Sequence, residues 1–96
     1  MRAIVVDRPG GRQQLRLVET SVPEPASDEV LIRVAYAAAN WGDVQKRQGT
    51  YPDPVEYPAV LGAEVSGVVA AAGSGARRAT IGARVAAVCL AATRIS

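Results

Sequence analysis

A chain of 96 residues holds at most one small domain, since domains typically need about 100 to 150 residues. Its apolar share of 49% and charged share of 21% are those of a soluble globule, and a net charge of +2 is too even for a nucleic-acid binder. The absence of histidine excludes Ser-His-Asp and Cys-His catalysis within the chain, and Cys89, the single cysteine, excludes an internal disulfide or a multi-cysteine metal site.

A reducing, cytoplasmic setting is the expectation that follows. Every basic residue but Lys46 is arginine, a bias read as coding composition, and Arg77-Arg78 is read as a small solvated patch. The first apolar run, residues 3–6, is closed by Asp7 and is too short for a signal sequence. No stretch approaches a membrane span.

In chain order, Ala3-Ile4-Val5-Val6 predicts a strand that ends in the turn cluster Asp7-Arg8-Pro9-Gly10-Gly11, and Leu15-Arg16-Leu17-Val18 predicts its hairpin partner. Pro23 and Pro25 make residues 23–28 a loop. Residues 30–37 predict the clearest strand, with Val30, Ile32, Val34 and Tyr36 on one face. The period then changes: residues 43–48 predict one or two helical turns closed by Gly49, with Asn40 or Asp43 as a cap. Pro52, Pro54 and Pro58 make residues 50–58 a stiff loop across a surface or cleft. Residues 63–72 predict a strand in which Gly67 marks a bend or the close approach of another backbone. Gly73-Ser74-Gly75 predicts a turn, and residues 81–88 a last extended run. Five or six short strands and one short helix describe a small barrel or sandwich.

Few residues carry chemistry. Gly73-x-Gly75 comes nearest to a phosphate loop, but Arg78 stands where the third glycine belongs. Ser66 lacks the first glycine of a nucleophile elbow and a histidine to activate it, so it is read as structural. Asp53 and Glu56 are read as solvated loop charges. Glu64, between Gly62 and an apolar run, needs a partner if it is buried; a structural hydrogen bond and a catalytic role both remain open.

The constellation that stands out is Asn40-Trp41-Gly42-Asp43, then Gly49-Thr50-Tyr51-Pro52, then Pro58-Ala59-Val60-Leu61-Gly62-Ala63-Glu64. With the opening Met1-Arg2-Ala3-Ile4-Val5, the Pro23-x-Pro25 loop, Glu29-Val30-Leu31-Ile32-Arg33-Val34 and Gly67-Val68-Val69, it resembles the zinc-independent quinone oxidoreductase branch of the medium-chain dehydrogenase/reductase superfamily. The resemblance runs from Met1 to about Val88. One departure is Gly82-Ala83-Arg84-Val85, where the family has Gly-Asp-Arg-Val.

The resemblance implies a mainly β fold, a partial GroES-like barrel with one short helix over residues 1–88. An atypical tail follows at 89–96, and the Rossmann cofactor domain is absent from the sequence. Zinc-dependent relatives place a cysteine ligand where this chain has Asn40 and a histidine where it has Ala63, which implies no zinc here. NADPH is the implied cofactor and a small quinone or enone the implied substrate. Asn40 and Tyr51 are the implied catalytic residues: Asn40 lies beside the nicotinamide ring and orients, and Tyr51 donates to the developing oxyanion. Loop packing is the other reading of Tyr51, and Trp41 is read as core packing. The expected function is the substrate side of an NADPH-dependent quinone or enone oxidoreductase, inactive alone. The alternative is a non-catalytic remnant or interaction module that pairs its sheet edge with another chain. Expected partners are a second copy or a missing cofactor domain, with no nucleic acid and no membrane.

Overall fold

The β-branched run that opens the chain forms β1 (Arg2–Val6) and pairs antiparallel with β2 (Leu15–Glu19), from Arg2 against Glu19 to Val6 against Leu15. The computed structural model describes residues 1–76 and 78–88. A single 3-10 turn, Arg12–Gln14, leads into β2, so the predicted hairpin closes through a longer connection than a tight turn. β3 (Val30–Ala38) is followed by α1 (Trp41–Gln48), the short β4 (Ala59–Val60), β5 (Glu64–Ala72) and β6 (Arg84–Val88). Two three-stranded antiparallel sheets result, ordered β2-β1-β4 and β3-β5-β6. The mainly β expectation holds, and the core is small: Val5, Val6, Ile32, Val65 and Val69 are its buried apolar residues.

Three local expectations change. Tyr36 does not share the buried face of Ile32; it is 78% exposed, whereas Ile32 is 5% exposed. The register against β5 shifts between Val34 and Tyr36, and one extra residue in a strand reverses the faces of those that follow. β6 begins at Arg84, three residues later than predicted, because Ile81 and Gly82 form a turn in which Gly82 adopts φ +91°. α1 begins at Trp41, two residues before the predicted start. Trp41 is 67% exposed, so the core-packing reading fails; no residue of α1 is buried, and hydrogen bonds hold the helix in place. Residues 89–96, with Cys89, and Arg77 of the basic pair lie outside the described residues.

The hairpin carries one exposed bidentate pair, Arg16 Nε and Nη2 donating to Asp7 Oδ2 at 2.6 Å and Oδ1 at 2.9 Å. The hydrogen bond from Arg16 holds the Asp7 carboxyl below its ordinary value of 3.8. Whatever stability the pair adds is complete above that value and is lost as pH falls through the lowered one. Asp7→Asn is expected to change the melting temperature little at pH 7, because exposed pairs are screened by water and salt. Any difference from the unsubstituted chain should begin to shrink near pH 3.8 and vanish only once the pH has fallen through the lowered value, which parallel thermal melts would show.

Candidate functional site

The site is built around the start of α1. Asn40 is extended, at φ −124° and ψ 160°, and Asp43 three residues later turns its carboxylate back, Oδ2 accepting from the Asn40 N–H at 3.1 Å. The other oxygen of Asp43, Oδ1, accepts from the Gly62 N–H at 3.0 Å. One carboxylate thus ties the helix to the segment that enters β5. Gly62 has φ +108°, a conformation that only glycine adopts without strain, and nothing lies within 4 Å of where its Cβ would be. Glu64 follows two residues later as the first residue of β5, and Asn40 Nδ2 donates to its Oε2 at 3.2 Å.

The far end of α1 is fixed as firmly. Gly49 ends it at φ 84°, and the N–H groups of Gly49 and Thr50 both donate to Gln45 O, at 2.8 and 2.9 Å. Two further last-turn carbonyls find partners in other segments: Tyr57 Oη donates to Lys46 O at 2.6 Å, and Gly10 N donates to Arg47 O at 2.8 Å. Arg47 Nη1 returns a bond to Gly10 O at 2.7 Å. A helix with no buried side chain is thereby held at a defined angle.

Tyr51 is half-buried beside this helix. Its ring lies under Lys46 Nζ, 4.8 Å from the centroid, and over Gly42, whose missing Cβ would sit 3.3 Å from Tyr51 Cε1. Gly42 and Lys46 are four residues apart and so share one helix face. The contact between ammonium and ring contributes about 0.5–1 kcal/mol at a solvent-facing position. Among the described residues the Tyr51 hydroxyl has no hydrogen-bond partner. The structure therefore brings Asn40 to Glu64, and Tyr51 to Gly42 and Lys46, all on or against α1. Asn40 and Tyr51 do not bond to each other.

The open question about Glu64 narrows, since the residue is exposed and accepts a hydrogen bond from the Asn40 amide. The glycine pair after β5 is a turn, as predicted: Gly73 N donates to Glu29 O at 2.9 Å and Gly75 N to Ser27 O at 2.7 Å. Those amides are committed to the 26–29 loop, so they cannot cradle a phosphate. Sequence reasoning missed the double role of Asp43, although the spacing of Asn40 and Asp43 carries the capping-box signal.

Residues 26–95 match the family model of the alcohol dehydrogenase GroES-like domain. The chain belongs to this family. Over 85 residues this GroES-like domain is 41% identical to human synaptic vesicle membrane protein VAT-1 homolog-like, covering 88% of the chain and 20% of that protein. It is equally 41% identical over 85 residues to acryloyl-coenzyme A reductase of Sulfurisphaera tokodaii, with 88% and 25% covered. Escherichia coli quinone oxidoreductase, solved in complex with NADPH, superposes with a TM-score of 0.83 at 32% identity, over 90% of this chain and 26% of that one. The GroES-like domain thus spans about a quarter or less of these medium-chain dehydrogenase/reductase relatives.

Removing the Asp43 carboxylate should loosen this junction. Asp43→Ala removes the carboxylate bonds to the Asn40 and Gly62 N–H groups and is expected to cost about 2 kcal/mol in urea unfolding. Asp43→Asn keeps one acceptor oxygen and is expected to cost about half of that. Equal losses in the two variants would show that the double bridge is not what holds the helix.

Proposed function

We propose that this domain is the substrate side of a zinc-independent, NADPH-dependent quinone or enone oxidoreductase. The observation that carries the reading is the Asn40 amide, held by Glu64 Oε2 at the head of α1, with the Tyr51 ring against the same helix and its hydroxyl unengaged among the described residues. Zinc does not fit the positions its relatives use: Asn40 supplies an amide and Ala63 a methyl group, neither a usual donor. Nicotinamide does fit beside Asn40, whose second Nδ2–H remains after the bond to Glu64. When bound, NADPH would supply the hydride.

The protein's own part is positional and electrostatic. Asn40, fixed by Glu64 and by Asp43 through its backbone, orients the ring and the acceptor. Tyr51 Oη donates a hydrogen bond to the acceptor oxygen, which gains negative charge as a quinone or conjugated carbonyl is reduced. The sequence pattern places the domain at residues 1–88 and a tail at 89–96, while the family match runs on to residue 95. We place the protein in the cytoplasm; among the described residues no helix is long and apolar enough to cross a membrane.

The test is a chimera in which these 96 residues replace the matching quarter of Escherichia coli quinone oxidoreductase. NADPH oxidation with a benzoquinone is expected, with kcat/KM falling about 10-fold or more in Asn40→Ala and in Tyr51→Phe. A folded, NADPH-binding chimera whose turnover ignores both substitutions would refute the assignment.

A second reading, a module that pairs a sheet edge with another copy, draws on Tyr36 and Val88. Tyr36 pairs with Ser66, and Glu64, two residues from Ser66, pairs with Val88, which puts both side chains on one face of the β3-β5-β6 sheet. They are 78% and 65% exposed, and the outer edges of β3 and β6 pair with no strand among the described residues. Dimers or larger species are expected by sedimentation velocity at micromolar concentration. A single monomeric boundary excludes this reading.

A further inference from the structure

α1 carries three charged side chains, and two of them are committed. The Asp43 carboxylate accepts from two backbone N–H groups, and Arg47 donates to Gly10 O. The third, Lys46, is different. Among the described residues the N-terminus pairs with Glu19 and Arg16 with Asp7, and Lys46 has no carboxylate partner. Lys46 is half-buried as a residue, and its ammonium rests over the Tyr51 ring, 4.8 Å from the centroid. An ammonium over a ring face still has N–H donors to offer an anion, because the face attracts the charge without engaging all three of them.

The charges along α1 are also graded. The exposed Glu64 carboxylate sits with Asn40 at the helix start, while Lys46 lies more than one turn further along the helix. An acceptor that carries an anionic group is repelled at the Asn40 end and attracted at the Lys46 end. With its carbonyl near Tyr51 Oη, such a molecule has one favoured orientation.

We propose that Lys46 is a specificity-determining residue: with the Tyr51 ring it forms an anion subsite that selects flat conjugated acceptors bearing a carboxylate or sulfonate. The subsite deepens the proposed function and rests on it, since Tyr51 is there the acceptor-side donor. Arginine would not be equivalent, because a guanidinium stacks flat on a ring and spreads its charge, whereas the ammonium is a compact point charge.

The experiment titrates the full 96-residue chain with anthraquinone-2-sulfonate and, separately, with neutral 2-(hydroxymethyl)anthraquinone, following backbone amide shifts by NMR. At low salt the sulfonate is expected to bind about fivefold more tightly. The preference should disappear in about 1 M salt, where screening acts within about 3 Å. It should also disappear in Lys46→Gln and survive in part in Lys46→Arg. The salt series uses the unsubstituted chain and so decides the matter even if a variant fails to fold. Equal affinities at low salt, or a preference that persists in Lys46→Gln, overturn the subsite; shifts at Asn40 and Tyr51 with the neutral quinone then leave the proposed function standing. If neither quinone shifts the Asn40 and Tyr51 amides, both the subsite and the function that it rests on are overturned.

Discussion

The purified 96-residue chain, supplied with NADPH and a benzoquinone, is expected to show no saturable turnover above the uncatalysed rate. Hydride transfer requires the nicotinamide to be held against the acceptor, and such positioning is worth about 7–11 kcal/mol of the barrier. In the proposed function Asn40 and Tyr51 face the reacting groups, but no described residue is assigned to grip the pyrophosphate. The one glycine pair that resembles a phosphate loop has its amides bonded to Glu29 O and Ser27 O. Two contacts at one end of a dinucleotide cannot immobilise it, so the reactants meet too rarely. The expected result is that NADPH absorbance decays at the same rate with and without the chain. Saturable turnover reduced by Asn40→Ala and Tyr51→Phe would show that these residues form a complete enzyme. Turnover that appears only in the chimera would locate the missing contribution in the other three quarters of the relative.

Most of the strand order was legible because burial on one face leaves a period-2 trace and prolines and glycines mark the ends. Residues 30–37 carry the alternation and residues 63–72 an apolar run bounded by glycines, and β3 and β5 fall there. The irregularities were not legible. The bulge before Tyr36 lies inside a clean alternation and depends on how β5 pairs, a fact spread over residues 64–72. The exposure of Trp41 was hidden for a related reason: a large aromatic at the start of a helix is ordinarily buried, but α1 is held by Asp43, Arg47 and Tyr57 through polar bonds instead. In the site, the resemblance pointed to Asn40 and Tyr51 as motif residues. The Asn40–Glu64 bond spans 24 positions, and the contact of Lys46 with Tyr51 depends on the turn at Gly49. Such contacts are set by tertiary geometry, which local sequence pattern does not encode.

Gly67→Ala is expected to be a severely damaging single-methyl change, costing at least about 3 kcal/mol, a large part of the about 5–15 kcal/mol that holds an ordinary domain folded. Gly67 is buried in the middle of β5, opposite Val34 of β3. A Cβ there would fall on the carbonyl oxygen of Arg33, with Arg33 C at 2.9 Å and Ile32 Cγ2 at 3.0 Å. The obstructing oxygen belongs to the backbone, so no rotamer change relieves the clash; β3 and β5 must separate. That separation opens the pairing of Ala38 with Glu64 and therefore the Asn40–Glu64 bond at the candidate site. Gly82→Ala is the control. Gly82 has φ +91° but open space around its missing Cβ, so it loses only the conformational freedom of glycine, about 1–2 kcal/mol. Urea unfolding of the two variants separates crowding from backbone strain. If Gly67→Ala unfolds no more easily than Gly82→Ala, β3 and β5 can move apart at little cost, and the close approach that the sequence signals at this glycine is not what fixes the sheet.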